Sequence, residues 1–294
     1  MTIKHLVISG GGPNAIMALG AVQHLDKEKY LQISEIESIY ATSAGAFLGA
    51  MICMKFDWQI LNNYILNRPW HEAFPIHAKQ ILEAYGNKGI FDKKFIEVIF
   101  TSLLKAKDLS LQITLQELFV YSNIDFHVFS LELNEFKAID ISHTTHPELQ
   151  LMDALHMTAA LPIFISPFCE NNKCFVDGGV ISNYPLSFCL EQHTNVDEIL
   201  GLKNNYTVDS DTNNNNINDD STILDYMLHF IHKLIENVDT EKKQISIPNE
   251  ITYNTSRLHI SYIKEALSSS SLRKELLEKG IQAASTFLYG GLPP

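Results

Sequence analysis

Three short stretches carry residue types that could perform acyl chemistry. Tyr40-Ala41-Thr42-Ser43-Ala44-Gly45 places a serine between an apolar run and a second apolar run, with small residues two before and two after it. That spacing is the mark of a nucleophile elbow, a strand-to-helix turn tight enough that only small side chains fit at 41 and 45. The helix start beneath Ser43 offers free N–H groups and a positive dipole end, which favour a developing oxyanion. The bland alternative is a serine N-cap, and Ala41 departs from the G-x-S-x-G pattern.

Gly10-Gly11-Gly12 is the second stretch. Three glycines let a backbone approach a ligand closely and aim several N–H groups one way. A dinucleotide loop is a rival reading, because Gly10, Gly12 and Ala15 fit G-x-G-x-x-G/A, and Glu35 or Glu37 stands near the ribose-binding distance. Against it, Pro13 interrupts the loop, and a dinucleotide site has no use for the serine elbow. The third stretch is Asp177-Gly178-Gly179, an aspartate at the end of an apolar run, whose bland reading is a turn aspartate.

The elements around these stretches must bring them together. Lys4–Ser9 and Ile36–Ala41 are expected strands, and each is followed by an apolar helix, Ala15–Asp26 and Ala44–Met54. This β-loop-α-β-loop-α opening predicts an α/β sheet with helices on its faces. Further helices are expected over Asp57–Asn67, Asp92–Lys105 (with Asp92 as N-cap) and Met152–Ala160. A hairpin with the two-residue turn Asn134-Glu135 is expected between Asp125–Leu133 and Phe136–Ile141. Lys173–Val176 and Val196–Leu202 complete the strands.

Composition narrows the classes. The 294 residues carry 34 acidic and 22 basic side chains, a net charge of −12. An acidic chain is a poor partner for nucleic acid and for polybasic docking on anionic membranes. Four cysteines are too few for a disulfide scaffold. Cys169, Cys174, Cys189 and His193 match no common zinc spacing, so no metal and no cofactor is expected. The longest apolar run, Ala44–Met54, is too short to span a bilayer, and residues 1–8 are too short for a signal peptide. These features predict a cytoplasmic protein, peripheral at membranes at most.

Residues 204–221 are rich in Asn and Asp, and such composition predicts a disordered surface loop. Asp209, Asp211 and Asn213 imitate the start of a calcium loop, but the turn glycine and the closing Glu are missing. Residues 222–294 are expected to be a helical segment covering the sheet, within one domain spanning 1–294.

Taken together, the stretches resemble the patatin-like phospholipases. The matching blocks are Gly10-Gly11-Gly12, Thr42-Ser43-Ala44-Gly45, Ala159-Ala160-Leu161-Pro162 and Asp177-Gly178-Gly179, followed by Asn183-Tyr184-Pro185, across roughly residues 4–202. The chain departs from the family at Asn14 and Ala15, where Arg or Lys and then Gly are usual, and at Ala41. The resemblance implies a three-layer α/β/α sandwich around a mostly parallel sheet. It implies a lipid acyl hydrolase of phospholipase A type, with Ser43 as nucleophile, Asp177 as its base and Gly10, Gly11 and Gly12 as oxyanion loop. A phospholipid or other acyl ester is then the substrate, met through transient contact at a membrane surface, with Trp58, Trp70, Phe74 and Ile76 as candidate apolar contacts. The alternative is a catalytically silent lipid- or partner-binding protein on the same scaffold. A Ser-Asp-His triad, drawing on His193, His229, His232 or His259, is a further geometry to be tested.

Overall fold

The computed structural model describes residues 2–75, 78–206, 217–219, 221–241, 245–255 and 259–290. Ten strands are found among them: β1 His5–Ile8, β2 Ser38–Thr42, β3 Gly89–Phe91, β4 Asp125–Glu132, β5 Lys137–Ile141, β6 Ile163–Ile165, β7 Phe168–Glu170, β8 Lys173–Asp177, β9 Ile199–Tyr206 and β10 Glu250–Thr255. Eight form the central sheet, in the order β10-β9-β1-β2-β4-β8-β7 with β5 also paired to β4. The run from β10 to β4 is parallel. β5, β8 and β7 add antiparallel pairings at the β4 end. β3 and β6 make a separate parallel pair.

Every residue of β1 and β2 is buried, as expected of parallel strands covered on both faces. Leu6, Ile8, Ile39 and Ala41 face the larger core, shared with helices Ala15–Lys27, Ala44–Cys53 and Ser270–Tyr289. Val7 and Tyr40 face the other way, onto the helix Leu186–Gln192. The result is the α/β/α sandwich. Gly20 and Gly280 let helices Ala15–Lys27 and Ser270–Tyr289 touch backbone to backbone, since a Cβ at either would strike a carbonyl of its neighbour.

Several expectations need correction. The strand expected to end at Leu202 runs on to Tyr206, so Asn204, Asn205 and Tyr206 belong to the sheet and not to a disordered loop. Residues 207–216 and 220 of that expected loop lie outside the described residues, and with them the calcium-like Asp209, Asp211 and Asn213. The C-terminal segment is not purely helical, because β10 extends the sheet beside β9. Its apolar residues alternate (Ile251, Tyr253), a strand signal hidden between two strong helical stretches. Asp92 accepts the Lys94 N–H, but the helix begins at Lys94 with Lys93 at the cap. The β4–β5 connection has four residues, 133–136, rather than two. Cys169 and Cys174, register partners in the β7–β8 hairpin, form a disulfide. That takes two of the four residues of the zinc reading, Cys169 and Cys174, out of use as ligands. Cys53 and Cys189 are free and buried.

Candidate active site

β2 ends at Thr42, and the helix Ala44–Cys53 begins immediately after Ser43. Ser43 turns the chain with φ 52° and ψ −128°, a conformation that non-glycine residues avoid. What holds it there is a set of bonds on both sides. The Ser43 N–H donates to Thr158 Oγ1 at 2.8 Å, and the Thr158 hydroxyl donates to Phe129 O on β4 at 2.5 Å. Thr42 Oγ1 donates to Ser182 O at 2.8 Å. A Cβ on Gly45 would come within 2.5 Å of Ser9 O, so position 45 must be bare. Ala41 needs no such freedom, being an ordinary strand residue paired with Ile8 and Val128.

Ser43 Oγ donates to Asp177 Oδ2 at 2.7 Å. The other carboxylate oxygen, Oδ1, accepts the Gly179 N–H at 2.7 Å. Asp177 is 5% exposed. Burial pushes its pKa up to about 6, against the bonds from Ser43 and Gly179, which pull it down. It therefore stays largely ionised at neutral pH while being a better proton acceptor than an ordinary aspartate. The Asp177 N–H donates to Ala160 O and the Gly178 N–H to Thr158 O, so the 158–161 segment supports serine and aspartate alike.

The glycine loop lies beside them. The Gly10 N–H is committed to Asn183 O at 3.0 Å. Among the described residues no acceptor takes the N–H of Gly11 or Gly12, and both line the same cavity as Ser43 and Asp177. Of the three expected oxyanion glycines, then, two have free donors and Gly10 acts as a packing hinge. A Cβ on Gly10 would lie 3.1 Å from Ser43 Cβ and 2.6 Å from Asn183 Oδ1.

The cavity holds about 260 Å³ and is walled mainly by apolar side chains, among them Phe47, Met51, Trp70, Phe74, Phe95 and Phe164. Trp70 and Phe74 are thus buried cavity wall, not membrane-facing residues. Trp58 is tied by its indole N–H to Asp26 Oδ2 at 2.7 Å, and Ile76 lies outside the described residues. Arg273, also on the wall, is buried and donates to the carbonyls of Leu66, Arg68, Ala266 and Leu267. It caps the ends of helices Trp58–Asn67 and Ile260–Ser268, where a cation suits the negative dipole end.

No histidine lines the cavity among the described residues. His193 stacks on His5 at 3.6 Å and lies 3.1 Å from Tyr40 Oη. His259 caps its own helix by accepting the Tyr262 N–H. His229 and His232 sit on the helix Ile223–Glu241; the side chain of His232 is outside the described residues. His127 is buried between two carboxylates, 3.1 Å from Asp125 and 2.9 Å from Asp140. Burial alone would lower its pKa, but the two carboxylates hold it up at about 9. Sequence inspection missed Thr158, since it belongs to no glycine-rich block and acts through the Ser43 backbone N–H.

A serine on a strained strand-to-helix turn, bonded to a buried aspartate over an apolar cavity, places this chain among α/β proteins of the serine-elbow kind. More narrowly, it belongs to the patatin-like phospholipase family, whose model matches residues 6–190. It is 23% identical over 193 residues to "Probable lipid hydrolase 463L" of Invertebrate iridescent virus 6, covering 65% of this chain and 64% of that one. It is 22% identical over 235 residues to "Uncharacterized protein R571" of Acanthamoeba polyphaga mimivirus, covering 75% and 69%. The matched region thus spans just under two thirds of the viral lipid hydrolase's length. Among solved structures, VipD of Legionella pneumophila superposes with a TM-score of 0.58 at 16% identity, covering 98% of this chain and 67% of that one. That likeness concerns the fold.

Proposed function

We propose that this protein is a lipid acyl hydrolase of phospholipase A type, working through a Ser43–Asp177 dyad and an acyl-enzyme. The observation that carries the reading is the 2.7 Å bond from Ser43 Oγ to Asp177 Oδ2 at the wall of an apolar cavity. Ser43 Oγ attacks the ester carbonyl as its proton passes to Asp177. The tetrahedral oxyanion takes the free N–H groups of Gly11 and Gly12, a contribution on the order of 10²–10³ in rate per donor. As the intermediate collapses, Asp177 returns the proton to the departing alcohol oxygen. Water then gives its proton to Asp177 and attacks the acyl-enzyme, releasing the fatty acid and restoring Ser43. The apolar wall supports an acyl chain as the bound group.

Contact with the lipid surface is apolar in this reading. The helix Ile223–Glu241 turns Leu228 and Ile231 into the cavity while Ile223, Tyr226, Phe230 and Leu234 stay exposed. The net charge of −12 argues against electrostatic docking. No helix among the described residues is long and apolar enough to cross a membrane.

The test is a fluorophosphonate that reacts with activated serines, followed by fatty-acid release from phosphatidylcholine vesicles. Labelling at Ser43 together with release is the expected result. An unlabelled, folded protein that releases no acid from several acyl esters would favour a silent lipid- or partner-binding scaffold.

A further inference from the structure

β9 outruns β1. Their pairing covers His5–Ile8 against Ile199–Leu202, after which β1 peels away into the glycine loop while β9 continues to Tyr206. At that point Asn204 takes over from the sheet ladder. Its backbone N–H donates to Ser9 Oγ at 2.9 Å, and its side-chain amide Nδ2 donates to Gly10 O at 2.5 Å. The residue is buried, and it lies beyond the segment matched by the family model, which ends at 190.

The acceptor matters because of what it shares a peptide with. Gly10 C=O and Gly11 N–H belong to one planar unit, and no cis peptide bond occurs among the described residues. In a trans peptide the C=O and the following N–H point in opposite directions. Holding Gly10 O toward Asn204 therefore turns Gly11 N–H away from Asn204, on the side opposite β9. Gly11 itself has φ 155°, and a Cβ there would collide with Asn204 Nδ2, so its neighbours leave it no side chain and its own backbone offers little resistance to a flip. Glycine peptides rotate easily, and an unpinned Gly10–Gly11 plane could present a carbonyl where an oxyanion must bind. Asn14, at the position where the family usually has a cation, is not placed to do this work. It accepts from Tyr262 Oη at 2.7 Å and is absent from the cavity wall.

We infer that Asn204 is a positioning residue for acyl transfer: its amide pins the Gly10–Gly11 peptide so that the Gly11 N–H faces the tetrahedral oxyanion formed at Ser43. This rests on the acyl-hydrolase reading for its kinetic consequence, but the orientation of the peptide does not depend on turnover.

The test uses the full chain with Asn204→Asp, which keeps the shape and removes the donor, and Asn204→Ala. Expected for both is a fall in kcat on a soluble acyl ester of about 10²-fold, the scale of one lost oxyanion donor, with KM changed less than threefold. Fluorophosphonate labelling of Ser43 should slow in parallel, because its adduct also places an oxygen on the loop. Melting temperature serves as the fold control, and Asn204→Asp carries the comparison if Asn204→Ala does not fold. In parallel, the ¹⁵N–¹H resonance of Gly11 is followed in labelled protein, where a displaced resonance in both variants is expected. Wild-type kcat and labelling rate in folded variants, or an unmoved Gly11 resonance, would overturn the inference. A wild type with neither turnover nor labelling would instead strike the hydrolase reading, leaving the Gly11 resonance to decide the role of Asn204.

Discussion

Ser43 and Asp177 meet because the strands that end on them run toward each other along one edge of β4. Thr42 of β2 pairs with Phe129, and Asp177 of β8 pairs with the next residue, Ser130. β5 overlaps both pairings, so it holds the opposite edge of β4 and leaves the other to β2 and β8 in turn. β2 is parallel to β4 and β8 antiparallel, so their C-terminal ends abut. Residues 134 positions apart in sequence are thereby brought within a hydrogen bond.

If the two side chains work as one unit, their losses should not add. Ser43→Ala and Asp177→Asn are each expected to remove nearly all fatty-acid release from phosphatidylcholine vesicles, and the double variant should be little worse than either. Rates are compared after circular dichroism shows each variant folded. A double variant whose loss reaches the product of the two single losses would mean independent roles.

Acidity should expose Asp177 twice. With a pKa of about 6, the acid limb of the kcat/KM profile is expected to fall below about pH 6. In Ser43→Ala the carboxyl should titrate higher still, since the Ser43 bond is one of the two that lower it. Stability runs the other way. The folded pKa is raised from 3.8, so the native state binds this proton more tightly than the unfolded chain. The contribution is complete below pH 3.8 and is lost as pH rises through 6. At 1.36 kcal/mol per unit, that is about 3 kcal/mol. Denaturant titrations from pH 3.5 to 8 should therefore show Asp177→Asn gaining on wild type by about this amount. A constant difference across that range would contradict the burial account.

The two small residues flanking the elbow should respond oppositely to being exchanged. Ala41 is fully buried in a regular strand, so Ala41→Gly gains no freedom that it needs and should cost roughly 0.5–1 kcal/mol, without raising turnover. Gly45→Ala puts a methyl group 2.5 Å from Ser9 O and 2.8 Å from Ile8 O. Both are backbone atoms, so overpacking should cost about 1–3 kcal/mol and lower kcat by tilting the helix under Ser43. Melting curves and ester turnover check both.

The sequence was most legible where chemistry demands particular residue types in a short window. The elbow, the glycine loop and the aspartate block each stood out, and their order along the chain was enough to suggest the family and the sandwich. What it hid depends on long-range pairing. That Phe129 and Ser130 supply one edge to two opposed strands cannot be seen in any window, because pairing partners are set by the whole sheet. Asn204 was submerged in an asparagine-rich stretch whose composition suggested disorder, although its neighbours Leu200 and Leu202 are fully buried strand residues. Trp70 and Phe74 look the same in sequence whether they wall a cavity or face a membrane, since burial is a property of the fold.

The exposed stripe on the helix Ile223–Glu241 gives the last prediction. Ile223, Tyr226, Phe230 and Leu234 recur three or four residues apart, which puts them on one side of the helix. Ile223 is 70% exposed and Phe230 50%. Leu228 and Ile231, on the same helix, are buried against the cavity. The apolar arc is thus wider than the described residues cover, and its buried edge, Leu228 and Ile231, lines the cavity. Aromatic side chains such as Tyr226 and Phe230 favour the boundary between water and acyl chains. Phe230→Asp and Tyr226→Asp should weaken flotation with phosphatidylcholine vesicles and slow hydrolysis of vesicle lipid, while turnover of a soluble ester holds, since neither side chain reaches the cavity wall. Binding should persist in added salt, because it does not depend on charge. Flotation that collapses in salt, or that the two substitutions leave untouched, would show that another surface meets the lipid.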